Sequence, residues 1–444
     1  MTRPAGGAVS ATTPARYQAA AWLLVAVAAL AVAATVFPAY PGWLTGIIGW
    51  IAVLLLWPRL PGAQARVVLA LVTAGLAGVI WGAAGGVAGL YTRALAQNIP
   101  LIAMLIAVSF LRLINTGPGV AGEQLSTGRG ALLKTMIGVH LFGAVINFSA
   151  VAIFADRLSA RAKLTLEQAT GLSRAFMVGA LWSPFFGAMA VTLTVAPEAS
   201  LARLMATGIP LSALGIAVTW VVLSSARYNH ARDFVGYPLH LEALWVPAVL
   251  AIGVLVVHEV QRAWSVLAII TVLAPLLTVA TLLVREGNRT GRSLLRLVRL
   301  RLPEMCGEVS LFLAAGVLSA GMAGAIVALD LRVPFERFGG LEASIVLLAG
   351  NLVAWLGVHP VILISVVGPW LATLDPDPTL LAMTFLMTWG IGLTACPMSN
   401  TLVAINARYH VSFADLVRRN RTFSVVMTLP GLAVLNGYAL FAGR

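Results

Sequence analysis

Charge is scarce in this chain. Only 10% of its 444 residues are Asp, Glu, Lys or Arg, whereas a soluble domain carries about 25%. Acidic residues are the scarcer sign, 16 against 29 Lys and Arg, which leaves a net charge of +13. Cysteine is rarer still. Cys306 and Cys396 both lie in or beside apolar segments, which excludes a disulfide framework, and no Cys/His spacing suits a metal. Enzyme motifs are missing too. His258-Glu259-Val260-Gln261-Arg262 begins like a zincin helix, but Arg262 stands where the second histidine belongs. Gly171-Leu172-Ser173-Arg174-Ala175 fails as a nucleophile elbow at its last position, and there is no Walker loop. The expectation is a protein that is not an enzyme and holds no cofactor.

What fills the chain is apolar: 60% of residues are hydrophobic, in runs of roughly 20, the length a bilayer requires. The alternating, weakly apolar strands of an outer-membrane barrel are absent. With no basic soluble domain to house nucleic acid, the positive excess reads as a topology signal, because Lys and Arg concentrate in cytoplasmic loops. We read spans at 18–37, 42–57, 66–91, 94–112, 172–196, 202–225, 241–259, 262–284, 305–328, 379–405 and 422–442. The first is long, lacks a small-x-small cleavage site and is followed at once by others, so it reads as a retained helix and not a signal peptide. Two further stretches, 130–156 and 340–371, are interrupted by Asn147-Phe148-Ser149 and by Gly357-Val358-His359-Pro360, and read as re-entrant hairpins.

The basic residues test this layout. Treating both interrupted stretches as hairpins puts nearly every basic cluster on one side, among them Arg59, Arg66, Arg112, Arg129, Lys134, Arg157, Arg161, Lys163, Arg174, Arg227 and Arg232; the loop at 330–340, with Arg332 and Arg337, is a mild exception that Asp330 and Glu336 offset. That places the N terminus inside and the C terminus outside an inner, plasma-type membrane. Arg285, Arg289, Arg292, Arg296 and Arg299 are spaced four, three, four and three apart, on one face of a helix across 285–303. This segment reads either as an interfacial arm on the anionic leaflet or as a solvated linker. Gly82 and Gly86, with Gly85 and Gly89, form overlapping GxxxG pairs that allow close helix contact.

Two spans are themselves broken, by Ser183-Pro184-Phe185-Phe186-Gly187 and by Cys396-Pro397-Met398-Ser399-Asn400-Thr401, with the prolines 213 residues apart (184 and 397). Asn147 and Pro360 keep the same offset. The layout makes the first broken span run outward and the second inward, so the duplication is an inverted repeat. A broken membrane helix frees backbone N–H and C=O groups that hydrocarbon cannot satisfy, so such breaks face protein or a watery cavity. Paired breaks in two halves point to a transporter's binding site. The expected fold is an all-α polytopic membrane protein of about eleven transmembrane helices plus two re-entrant hairpins, in two inverted-topology repeats. The expected divisions are a cytoplasmic tail (1–17), scaffold helices (18–112 and 241–328) and two transport halves (130–225 and 340–442).

The breaks and tips present Asn147, Ser149, Ser183, His359, Ser399, Asn400 and Thr401 as candidate solute-binding residues. Their hydroxyls and amides suit Na⁺ or a polar solute, and half-helix N termini suit an anion. The blander alternative is that Ser and Thr bond back to their own helices. Candidates for the coupling ion or proton are Asn147, Asn400, Asp156 and Glu308, the last read alternatively as pairing with an arginine such as Arg301. His140 reads as a packing residue or a proton relay.

Eleven spans with two hairpins, each followed by a broken helix, resemble the divalent anion/sodium symporters of the ion transporter superfamily, which includes citrate carriers, arsenite efflux proteins and sodium/proton antiporters. The nearest stretch is Pro397-Met398-Ser399-Asn400-Thr401-Leu402-Val403-Ala404, continuing through Tyr409-His410-Val411-Ser412-Phe413-Ala414-Asp415-Leu416. The resemblance implies elevator-type transport of a small anionic solute, usually by a homodimer, coupled to Na⁺ or H⁺. That family carries Ser-Asn-Thr at both hairpin tips. Here Ser399-Asn400-Thr401 lies in the broken span instead, so dicarboxylate specificity does not carry over. The alternatives are a proton-driven oxyanion or organic-anion exporter and, from another class, an integral membrane enzyme acting on lipid.

Overall fold

Eight described helical stretches are long and apolar enough to cross a bilayer. Large apolar side chains also stand on the outside, among them Leu54, Ile80, Ile252, Leu352 and Leu429, each more than half exposed. The chain is an all-α polytopic membrane protein. The computed structural model describes residues 14–114, 126–160, 162–225, 234–236 and 245–442.

The first part holds α1 (Ala15–Val36), α2 (Trp43–Leu56), α3 (Gly62–Ala84), α4 (Leu90–Ala96) and α5 (Ile99–Ser109). Next come α6 (Arg129–Ile146), α7 (Phe148–Ser159), α8 (Leu166–Met177), α9 (Gly187–Val195) and α10 (Leu201–Ser224). The second part runs through α11 (Trp245–Val260), α12 (Val266–Glu286), α13 (Thr290–Leu300), α14 (Cys306–Ala328), α15 (Gly340–Trp355), α16 (Pro360–Leu371), α17 (Pro378–Gly392), α18 (Asn400–Tyr409) and α19 (Phe413–Phe441). Among the described residues the only strands are β1 (Ser126–Thr127) and β2 (Val235–Gly236). Their antiparallel pairing ties the chain before α6 to the chain after α10.

The repeat is written into the helix starts. Those of α7 and α16 (148 and 360), α8 and α17 (166 and 378), and α10 and α19 (201 and 413) lie 212 residues apart; those of α9 and α18 (187 and 400) lie 213 apart. The first N–H groups of a helix have no partner within it, and side-chain caps recur at matching places. Asn147 and His359 accept from Phe148 N and Val361 N at the starts of α7 and α16. Thr165 and Asp377 cap α8 and α17, and Ser200 and Ser412 cap α10 and α19.

Polar contacts fix how the halves face each other. Arg203, early in α10, donates to Tyr438 Oη late in α19 (3.2 Å), so these two helices are antiparallel. Arg129 at the start of α6 donates to the Ser224 carbonyl at the end of α10, and Asp156 near the end of α7 pairs with Arg408 just before α19. Both ends of the first hairpin therefore lie at the end of the bundle where α19 begins. The second hairpin opens at the other end. Gly340 at the start of α15 packs on Asn436 and Ala439, and Trp370 at the end of α16 donates to the Leu331 carbonyl ahead of α15 (3.2 Å). The two hairpins enter from opposite ends, which is an inverted repeat.

Three expectations need correction. The last helix begins at Phe413, not near residue 422, because its charged first turns are satisfied: Arg418 by Asp415 (2.8 Å) and Arg419 by Glu167 (3.0 Å). The five arginines across 285–303 do not share one helix. Gly287, at φ +53°, ends α12 and leaves Arg285 behind it, while α13 starts at Thr290. The glycine motif is also placed differently. Gly86 and Gly89 sit at φ +87° and +75° in the turn after α3, where a side chain is disfavoured. The close contact is made by Gly75, Gly78 and Gly82 against Gly321 and Gly324 of α14, within the protomer.

A Cβ on Gly75 would lie 2.6 Å from the Val317 carbonyl carbon, so α3 and α14 touch backbone to backbone. Gly75→Leu is expected to force this seam apart at a cost of about 1–3 kcal/mol. Thermal melting of the purified protein in detergent should show a lowered midpoint, while Gly62→Leu, which meets open space, should leave it unchanged.

Candidate functional site

The two hairpin tips and the two broken spans meet at one cavity of about 470 Å³. Asn147 and Phe148 line it from the start of α7, and His359 from the start of α16. Phe186, Gly187 and Ala188 line it from the start of α9, and Asn400 and Thr401 from the start of α18. The contributions pair across the repeat. Phe176 and Trp389, Gly187 and Asn400, and Ala188 and Thr401 all line the cavity, each pair 213 residues apart. The third wall belongs to the helices outside the repeat: Arg59, Gln64, Leu105, Glu304, Glu308, Leu311 and Phe312.

Four helix N termini thus face one space. Each carries the equivalent of about half a positive charge and N–H groups without intrahelical partners. Little acidic charge opposes them; Glu304 and Glu308 come only from the outer wall. The backbone at the first tip is strained. Asn147 sits at φ +57°, ψ −145°, a region essentially reserved for glycine that costs of order 1–3 kcal/mol. The second tip puts a glycine, Gly357 at φ +103°, just ahead of His359. His359 is buried, edge-on to Trp389 (5.1 Å between ring centroids), and its Nδ1 accepts from Val361 N (3.2 Å). That acceptor role places its remaining proton on Nε2.

Of the residues expected from sequence, Asn147, His359, Asn400, Thr401 and Glu308 line this cavity together. Ser183 does not. It is fully buried, donates to the Ala144 carbonyl and accepts from Phe185 N (3.2 Å), so it fastens the first break to the end of α6. Ser149 lies half-buried on α7 and is not part of the lining. Ser399 is fully buried behind Asn400, and its hydroxyl has no hydrogen-bond partner among the described residues.

Asp156 is also outside the cavity, bound by Arg408 (2.6 Å) and Tyr409 Oη (2.7 Å). His140 is hydrogen-bonded at both ring nitrogens, to the Ala175 carbonyl (2.8 Å) and from Trp182 Nε1 (3.1 Å). Arg301 pairs with Glu304 (3.1 Å) and not with Glu308. Glu308 is open to the cavity and also lines a small annex with Arg112, Ser109 and Asn147 behind the first tip.

Sequence reasoning missed the aromatic walls, Phe148, Phe176, Phe186, Phe312 and Trp389. In an apolar span an aromatic residue looks like any lipid-facing or core side chain. The 213-residue pairing of Phe176 with Trp389 was the one available signal. A further break also escaped notice. Residues 94–112 form two helices, with Asn98 between them donating to the Phe312 carbonyl (2.8 Å).

No protein-family model matches the chain, and no curated protein matches it in sequence. Among solved structures the chain is similar to the YdaH transporter of Alcanivorax borkumensis, described as having an unusual topology. The two share 15% identity over 96% of this chain and 99% of that one, with a TM-score of 0.41. A likeness of that size carries no argument about what this chain does.

The placements separate two roles. Ser183→Ala strands the Ala144 carbonyl and is expected to cost about 1–3 kcal/mol of stability, seen as a lower melting midpoint in detergent. Asn400→Ala, at a residue open to the cavity, is expected to shift the midpoint little and to weaken solute binding measured by titration calorimetry or transport. The reverse pattern would exchange the two assignments.

Proposed function

We propose that this chain is a secondary active transporter of a small anionic solute. The observation that carries the reading is the convergence of four helix N termini on one cavity inside the bilayer. N–H groups and helix dipoles arranged this way favour negative charge without a resident cation. Asn400 and Thr401 at the α18 start add an amide and a hydroxyl donor beside them. The cavity volume lies within the range of about 300–1,000 Å³ of small-molecule sites, and its aromatic walls favour an organic anion over a bare oxyanion.

The inverted repeat supports an elevator cycle. Polar bonds join the two halves: Arg174 of α8 to Asn420 Oδ1 (2.8 Å) and the Arg419 carbonyl (2.7 Å) of α19, and Ser200 N to Thr379 Oγ1 (3.1 Å). The halves would move as one body against a scaffold built on α3 and α14. Arg59, Gln64 and Glu304 line the cavity, and with the N terminus inside, as the positive-inside reading has it, the cavity would open inward. Glu308 favours H⁺ over Na⁺ as the coupling ion. It stands in the first turn of α14, open to the cavity, with Arg112 lining the same annex, and an acid within a span usually serves a function. A homodimer in a plasma-type membrane, N terminus inside, completes the reading.

Reconstitution into liposomes with imposed H⁺ or Na⁺ gradients tests it against a panel of labelled carboxylates, sulfonates and oxyanions. The expected result is saturable, gradient-driven flux of at least one organic anion. Glu308→Gln should retain exchange of solute while losing the response to a proton gradient. Flux that ignores both gradients and saturates with no member of the panel would sink the proposal.

A further inference from the structure

The outer surface where α11, α12 and α13 meet carries chemistry that solute transport does not use. A groove of about 320 Å³ runs there between Trp245 of α11 and Ala280, Thr281 and Val284 of α12, with Arg285 at its end. Its walls are apolar and outward-facing; Val284 is 88% exposed. Arg285 is held in place by one hydrogen bond, from Nη1 to the Ile114 carbonyl (3.0 Å). A guanidinium has five N–H donors, and among the described residues only this one is used.

Beyond it stand Arg289, Arg292, Arg296 and Arg299, all exposed and none paired with a carboxylate among the described residues. The nearby acid, Glu286, accepts instead from Ser293 Oγ (2.5 Å). Leu297 and Val298 on the other face of α13 are buried, which pins the arm to the protein and turns its cations outward.

We propose that this surface is a binding site for one anionic phospholipid. The acyl chain lies in the groove along Trp245 and Val284, and the phosphate is held by Arg285, with the α13 arginines drawing in anionic headgroups around it. Two features distinguish this from a basic loop that merely obeys the positive-inside rule. The groove is apolar where a chain would lie and ends at a cation, which is the polarity of a phospholipid. The cation is also oriented in advance by the Ile114 carbonyl, and a planar guanidinium with spare donors matches a phosphodiester in geometry as well as charge. An apolar peptide would leave the arginines unanswered, and a free phosphate would leave the groove empty.

The test uses the full chain, purified in mild detergent, stripped of lipid and then mixed with phosphatidylglycerol or phosphatidylcholine of identical acyl chains. Native mass spectrometry reads the lipid retained. The expected result is one phosphatidylglycerol held about five- to tenfold better than phosphatidylcholine. Arg285→Gln should remove the preference. Ala280→Trp, which fills the groove but keeps every arginine, should lower retention of both lipids. Because Arg285 also supports Ile114, the Ala280 variant keeps the test decisive if Arg285→Gln folds poorly. Equal retention of the two lipids, or retention that survives both substitutions, overturns the proposal.

Discussion

A helix that starts inside a membrane leaves its first N–H groups without partners and without water. Most of the polar architecture follows from that constraint. At six helix starts that match in pairs across the repeat the answer is a side-chain cap from Asn147, Thr165, Ser200, His359, Asp377 or Ser412. At the starts of α9 and α18 there is no side-chain cap; Phe186 cannot supply one and Ser399 does not. Those two uncapped starts open onto the same cavity as the two capped tips. At these two starts an anionic solute in the cavity would supply the acceptor that no side chain provides.

The repeat gives a symmetric frame with asymmetric chemistry. At the matched break positions the first half offers Phe186, Gly187 and Ala188, and the second offers Ser399, Asn400 and Thr401. At the tips the first offers a strained asparagine and the second an imidazole edge-on to Trp389. Backbone dipoles thus come from both halves, while most hydroxyl and amide donors come from one. An anionic solute of the kind proposed would take a defined orientation there, with its charge shared among the four helix starts and its polar substituents toward α18.

The positions of the breaks, the hairpins and the inverted order were legible because each has a local cause. Proline, glycine and asparagine interrupt a helix wherever they fall, and the positive-inside rule fixes parity from a few arginines. Which polar residues face the cavity was not legible. Ser183 and Asn400 occupy similar places beside a proline, yet one bonds across to the Ala144 carbonyl and the other opens to the cavity. The difference is set by the end of α6, 39 residues away in sequence from Ser183. Asp156 likewise owes its place to Arg408 and Tyr409 in the other half. The resemblance to divalent anion/sodium symporters rests on layout and one short stretch, and layout does not determine cargo.

Mobility follows from where polar bonds are placed and where they are withheld. The two halves are joined by charged and amide hydrogen bonds, with Arg174 buried against α19 and Glu167 paired to Arg419. Such bonds are directional and costly to break away from water, so the halves resist sliding on each other. The scaffold adds to such bonds, as from Asn98 to the Phe312 carbonyl, a close glycine seam of α3 against α14, a contact of dispersion and close fit. Between the two bodies the cavity walls are largely aromatic and aliphatic, with Phe312 and Leu311 of α14 facing Phe186 and Trp389. Apolar surfaces without directional bonds are the ones that can slip past each other and repack. The proposed elevator cycle would use this distribution, with the two halves moving as a pair against α3 and α14.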